Sequence, residues 1–262
     1  VIISATMDDD EPVYRRYYRE INDNRMYPLN LWLENNKLDR INIDRRIHIS
    51  PPGETTRFKI TDIYRPEVEK PENIVIDILN TTTDGDILLF QPGQREIKES
   101  RDYINSHTSN ANVIAIPYYS EMSEDKRKFI DDISTNKKLI NIPKNINFED
   151  DYEKDPTIKK VPAGTYSRVV IIATNIAEAS ITIDSLKYVV ETGTEKTLNY
   201  DYKIRNDTLS EASISEASRL QRRGRVGRVA PGTVYYLYKE GDKSKNKKKF
   251  NIKIPKWNSS ES

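Results

Sequence analysis

Short apolar runs recur through the middle of this chain, separated by polar stretches in which apolar residues return at helical spacing. Ile87-Leu88-Leu89-Phe90, Asn112-Val113-Ile114-Ala115-Ile116, Val169-Val170-Ile171-Ile172-Ala173, Leu186 to Val190 and Thr233 to Tyr238 are the runs. Consecutive β-branched and apolar positions predict strands buried on both faces. Between them, Pro71 opens a predicted helix carrying Ile74, Val75, Ile78 and Leu79, because proline suits the first helical turn. Pro92-Gly93 leads into a polar helix through Ile97 and Ile104, and Ser123 is placed to cap a helix carrying Phe129 and Ile133. Buried strands alternating with helices imply right-handed crossovers and a mainly parallel sheet. The expected fold class is α/β.

Elsewhere the pattern changes. Phe58 to Tyr64 alternates and predicts an exposed or edge strand. From Gly193 to Thr208, Thr194 to Leu198 and Lys203 to Asp207 read as short polar strands around Asn199-Tyr200-Asp201, a β-hairpin. Residues 8–50 are irregular and charged, with a short helix from Tyr14 to Ile21 and breaks at Pro28, Pro51 and Pro52. Pro143 to Pro162 reads as a polar loop, and residues 241–262 as a loose tail whose lysines form a solvated end. Val1-Ile2-Ile3 resembles a buried strand entered partway, which leads straight into Ser4-Ala5-Thr6. That opening suggests the remainder of something longer.

Composition narrows the classes. A chain of 262 residues with 36% hydrophobic and 32% charged residues can build a substantial core. Basic and acidic residues number 42 and 41, so any nucleic-acid contact must come from local grouping. The absence of cysteine excludes a disulfide framework and cysteine-ligated metals. No apolar run approaches the ~20 residues needed to span a bilayer. The expected location is intracellular and cytoplasmic, or a viral factory or virion for a viral protein.

Local grouping is strongest in Gln221-Arg222-Arg223-Gly224-Arg225-Val226-Gly227-Arg228. Read as helix, this segment sets Gln221, Arg225 and Arg228 on one face. Two guanidinium forks beside an amide suit a triphosphate, since arginine pairs bidentately with phosphate oxygens and stays charged. Each glycine costs a helix about 1 kcal/mol relative to alanine, which suggests that something must approach the backbone closely. A solvated basic helix is the alternative.

The octamer resembles the last motif of superfamily 2 helicases, in the DEAH-box and related viral RNA helicases. The resemblance implies that Arg225 and Arg228 are fingers on the γ-phosphate and that Gln221 helps to place the attacking water. Other stretches are similar to further motifs of that family. Ser4-Ala5-Thr6 resembles the third, which couples hydrolysis to strand movement. Asp86 to Ile97 resembles the fourth, where the Gly93 turn would offer backbone N–H groups to a nucleic-acid phosphate. Ala173 to Asp184 resembles the fifth. There Thr174 and Asn175 would meet the RNA backbone, and Thr182 and Asp184 the nucleotide ribose. Phe129 falls where such helicases stack an aromatic on adenine, although a Phe on a helix is also an ordinary core residue. The region from Gly193 to Thr208 corresponds to the family's hairpin for separating or gripping strands. Gly53 to Ile60 resembles the poxvirus nucleoside triphosphate phosphohydrolase branch, which favours a large-DNA-virus relative.

The resemblance implies a RecA-like domain with a mainly parallel sheet flanked by helices and a hairpin insertion. Residues 1–6 would be a remnant of a first RecA-like domain, 7–55 a linker and insertion, 56–240 the second RecA-like domain and 241–262 a tail. The sequence holds no G-x-x-x-x-G-K-[ST] phosphate loop and no D-E-x-H box, and arginine fingers alone do not make an ATPase. His48 and His107 lack neighbours for a triad or metal site. ATP with Mg, the metal held mainly by a first RecA-like domain in cis or trans, and single-stranded or overhang RNA are the implied cofactor and partners. The chain alone is expected to be inactive. Two alternatives stand beside this motor-domain reading: an inactive RNA- or partner-binding module, and a DNA translocase of the same superfamily.

Overall fold

In the computed structural model of the chain, the apolar runs lie side by side as one parallel sheet. Residues 58–133, 140–142, 163–178, 183–201 and 206–242 are described. In chain order the elements begin β1 (Ile60–Tyr64), α1 (Pro71–Thr81), β2 (Asp86–Phe90), α2 (Gln94–His107), β3 (Val113–Tyr118) and α3 (Glu124–Asp132). They continue β4 (Ile140–Ile142), β5 (Gly164–Tyr166), β6 (Arg168–Ala173), a 3-10 turn (Asn175–Glu178) and β7 (Leu186–Glu191). The last are β8 (Thr194–Asp201), β9 (Asn206–Ser213), α4 (Glu216–Arg223) and β10 (Gly232–Tyr236). The main sheet runs β1-β10-β7-β2-β6-β3, and every neighbouring pair in it is parallel.

Burial follows from that arrangement. β2, β3 and β6 are buried at every position, as a parallel strand covered on both faces must be. β1 keeps only Ile60 buried and forms an edge, as its alternation predicts. α1 begins on Pro71 and buries Ile74, Val75 and Ile78; it packs on β2 and β7, while α2 packs on β3 and β6. At the N-terminal end of the sheet, Arg168 donates to the carbonyls of Thr82 and Gly85, each at 2.9 Å. This is the RecA-like α/β architecture that the motifs imply.

Two expectations need correction. Ser123 stands at the N-cap of α3, yet its hydroxyl makes no cap hydrogen bond. Its carbonyl accepts from the Arg127 amide at 3.1 Å, which is the first bond of the helix itself. The hairpin is present but longer than expected: β8 and β9 pair from Thr194↔Ser213 to Asp201↔Asn206. Asn199-Tyr200-Asp201 therefore lies within a strand. A separate two-stranded ribbon has no core face to enforce alternation, so polarity gave no sign of where pairing stops.

Residues 1–57, where a short helix is expected from Tyr14 to Ile21, residues 143–162, expected as a polar loop, and residues 243–262 lie outside the described residues. Among those described, no helix is long and apolar enough to cross a membrane.

Candidate functional site

α4 carries the first half of the arginine segment. Ser215 caps it by accepting from the Ser218 amide at 3.1 Å, and Glu216 in its first turn complements the helix dipole. The helix does not continue through the octamer. It ends at Arg223, and Gly224 closes it by donating to the Leu220 carbonyl at 2.9 Å. Gln221, Arg225 and Arg228 thus do not share one continuous helical face. Nor can a helix resume through Arg228, because Gly227 has a φ of +78° in the left-handed region, which no helix of L-residues sustains.

The three residues still gather, by another route. The Arg225 Nε donates to the Gln221 carbonyl at 3.3 Å, and the Arg228 Nε donates to the Gly224 carbonyl at 3.1 Å. Both guanidinium groups sit at the negative end of α4, where carbonyls lack helical partners and cations are favoured. Burial pulls the Arg225 guanidinium down to about 10, the nearby Arg228 cation adds in the same direction, and Glu178 opposes them. Two cations held this close favour an anion between them.

The other two arginines are anchors. Arg222 is 1% exposed. Its Nε donates to Glu178 Oε1 at 2.6 Å, and its Nη1 donates to Glu191 Oε1 and Oε2 at 2.9 and 3.2 Å. Its guanidinium also lies 4.6 Å from the Phe90 ring centroid. Burial works against the Arg222 cation, but Glu191 and Glu178 hold it charged. Arg223 binds Asp62 on β1 bidentately, with Nε–Oδ1 and Nη2–Oδ2 both 2.9 Å. Anchoring carboxylates from β1, β7 and the 3-10 turn therefore fix the helix that precedes Arg225 and Arg228.

Gly227 answers the question of what approaches the backbone. A Cβ there would stand 2.7 Å from Ile60 Cγ1 and 3.0 Å from the Phe58 carbonyl oxygen. The close neighbour is the chain's own edge strand, since the Phe58 amide also donates to the Gly227 carbonyl at 3.0 Å.

The remaining candidates come from other elements. Thr174 follows β6 directly, half-buried, and its amide donates to the Tyr118 carbonyl at 3.3 Å. Asn175 is exposed at the start of the 3-10 turn. Gly93 is the N-cap of α2, so it shares with them the C-terminal edge of the sheet, where open α/β folds place ligands. Lys196 of β8 lies over Gly93: its Nζ donates to Glu96 Oε1 and Oε2 at 2.9 and 2.8 Å. Phe129 is half-buried on α3 and packs against the core. Asp184 is exposed in the turn that leads into β7. Thr182, Ser4, Ala5 and Thr6 lie outside the described residues.

Residue patterns missed Glu178, Glu191 and Ser218. Their partner Arg222 lies 44 and 31 positions from the two glutamates. One signal was present: Glu191 closes the apolar run Tyr188-Val189-Val190, and a charge on a buried strand requires a partner. Among the described residues, no group of three or more His, Cys, Asp or Glu could hold a metal ion.

Comparisons with known proteins bear on the domain as a whole. Residues 150–230 match the helicase conserved C-terminal domain. The chain is 46% identical over 265 residues to a protein of Acanthamoeba polyphaga mimivirus provisionally named an ATP-dependent RNA helicase, covering 96% of this chain and 15% of that protein. It is 32% identical over 197 residues to the ATP-dependent RNA helicase HrpA of Borreliella burgdorferi, covering 72% of this chain and 20% of HrpA. Among solved structures it is similar to the DEAH/RHA helicase HrpB of Escherichia coli, at 26% identity and a TM-score of 0.53 over 73% of this chain and 21% of that one. The chain thus spans a fifth or less of the length of these curated relatives. With these likenesses and its sheet order, the chain carries a helicase C-terminal domain of RecA-like fold, similar to that part of the DEAH-box-like RNA helicases.

Proposed function

We propose that this chain is the C-terminal motor domain of an ATP-dependent RNA helicase and supplies the arginine fingers for ATP hydrolysis. Residues 56–240 form the second RecA-like domain. Residues 1–6 end a first one, 7–55 link them and 241–262 trail as a tail. The carrying observation is the pair Arg225 and Arg228, crowded at the C-terminal end of a helix held by buried and bidentate ion pairs. Cations preorganised in this way stabilise charge that develops on a transferring phosphoryl group. Gln221 orients water beside them.

ATP sits between this domain and the first RecA-like domain, in cis or in trans, with Mg held mainly by the latter. Phe129 covers the base, and Thr182 and Asp184 meet the ribose. RNA crosses the C-terminal edge of the sheet, where Gly93, Thr174 and Asn175 contact its phosphates without strong sequence preference. Ser4-Ala5-Thr6 couples hydrolysis to strand movement. Without its partner domain the chain binds but does not turn over, and its work belongs to the cell interior, where ATP and RNA meet.

The test is ATP hydrolysis by this chain joined to its first RecA-like domain. Arg225→Ala and Arg228→Ala should each lower kcat by about 1,000-fold or more, with RNA affinity little changed. Turnover within a few-fold of the parent in both variants would sink the proposal.

A further inference from the structure

The geometry points to Glu178 as a positioning residue that ties the nucleic-acid turn to the arginine pair. Glu178 is the last residue of the 3-10 turn that begins at Asn175. That turn is closed on Thr174, whose carbonyl accepts from the Ala177 amide at 3.2 Å. Glu178 Oε1 accepts both from Arg222 Nε at 2.6 Å and from the Ser218 hydroxyl. The Arg222 carbonyl in turn accepts from the Arg225 amide at 3.1 Å. Three short links therefore run from the residues placed at RNA to the residues placed at the phosphates.

Arg222 is buried and unable to lose its charge, so it must follow its carboxylates when they move. One of them, Glu191, is part of the sheet, and its Oε1 also accepts from the Gly193 amide at 2.5 Å. The other, Glu178, is part of the turn, and its side chain keeps 14% exposure against 0% for Glu191. The sheet side of this junction is fixed, so displacement enters through Glu178. Glu178 is also the carboxylate that favours the Arg225 cation.

This inference rests on the proposed finger role of Arg225, and the experiment separates the two. In the chain joined to its first RecA-like domain, ATP hydrolysis is measured with and without single-stranded RNA for Glu178→Gln, Ser218→Ala and Arg225→Ala. Glu178→Gln keeps the side-chain size and removes the charge. It should lower RNA-stimulated kcat about 10- to 100-fold, as a small misplacement of a reacting group does. KM for ATP and RNA affinity should stay within about twofold, and RNA-free turnover should fall by a clearly smaller factor than RNA-stimulated turnover. Ser218→Ala keeps the ion pair and should shift RNA-stimulated kcat in the same direction by a smaller factor. Equal losses with and without RNA in both variants, or no loss in either, would overturn the positioning role. If Arg225→Ala left turnover intact, the finger role itself would fail, whatever Glu178 did.

Discussion

Arg222 and Glu191 form a two-pronged ion pair shut away from water, with Nη1 at 2.9 and 3.2 Å from the two carboxylate oxygens. The pair joins α4 to the C-terminal end of β7. Burial pushes the Glu191 carboxyl up, and Arg222 pulls it back. Without Glu191, Arg222 keeps only Glu178, and without Arg222, Glu191 keeps only the Gly193 amide, so removal of one leaves the other buried and under-compensated. Glu191→Ala should destabilise the chain by about 3–5 kcal/mol, and Glu191→Gln by less, because the amide still accepts a hydrogen bond. Urea unfolding measures both. A loss under about 1 kcal/mol for Glu191→Ala would show that the pair does not hold the helix.

The two glycines of the arginine segment should respond differently to alanine. At Gly227 the positive φ and the contacts with Ile60 and Phe58 leave no room. Gly227→Ala should cost about 1–3 kcal/mol through backbone strain and displacement of β1. Gly224 has φ of −69° and ψ of 0°, an ordinary conformation, and a Cβ there meets the Leu220 and Gln221 carbonyls at 3.3 and 3.5 Å. Gly224→Ala should stay within about 1 kcal/mol of the parent. Comparable losses at both positions in chemical denaturation would contradict the geometry.

Much of the fold was legible because its strands are short runs of Val, Ile and Leu, which pack only in a covered parallel sheet. The motif residues were legible as a string but not as a shape. Arg225 and Arg228 read as helical because five residues of that stretch, Gln221, Arg222, Arg223, Arg225 and Arg228, are good helix formers. The left-handed backbone at Gly227 overrides that propensity, and a tertiary contact with Phe58 selects it. Nor does spacing show what Arg222 and Arg223 hold. Only the positions of Glu178, Glu191 and Asp62 in three dimensions do that.

The tyrosines at the C-terminal end of β10 predict an alkaline limit. Burial pushes the phenols of Tyr236 and Tyr238 far above the ordinary range, and Asp62 adds to the effect at Tyr236 by charge and by the hydrogen bond it accepts at 2.9 Å. The folded pKa exceeds the unfolded one. The stability these groups contribute is therefore complete below about pH 10 and is lost as pH rises beyond it. Unfolding free energy should fall by about 1.4 kcal/mol per pH unit for each phenol above that point. Tyr236→Phe should make the decline shallower by one such increment. An unchanged slope in urea titrations between pH 10 and 12 would place the proton release elsewhere.

Gly93 offers a way to test the proposed RNA path without unfolding the domain. A Cβ added there would lie 2.6 Å from Lys196 Nζ and 2.9 Å from Glu96 Oε2. Both atoms are far ends of flexible side chains, so they can swing away. The Lys196–Glu96 pair they form is only partly buried, with side-chain exposures of 27% and 30%, and such a pair contributes about 0–1 kcal/mol. Gly93→Ala should therefore change stability by less than about 1 kcal/mol. Its effect on RNA should be larger, because the methyl group occupies the mouth of the α2 N-terminus and displaces the lysine beside it. Affinity for single-stranded RNA should fall by about tenfold, the equivalent of ~1.4 kcal/mol. If Lys196 also neutralises a phosphate, the slope of log affinity against log salt should flatten by nearly one unit. Fluorescence anisotropy across a salt series reads both quantities. Unchanged affinity together with an unchanged slope would move the RNA path away from α2.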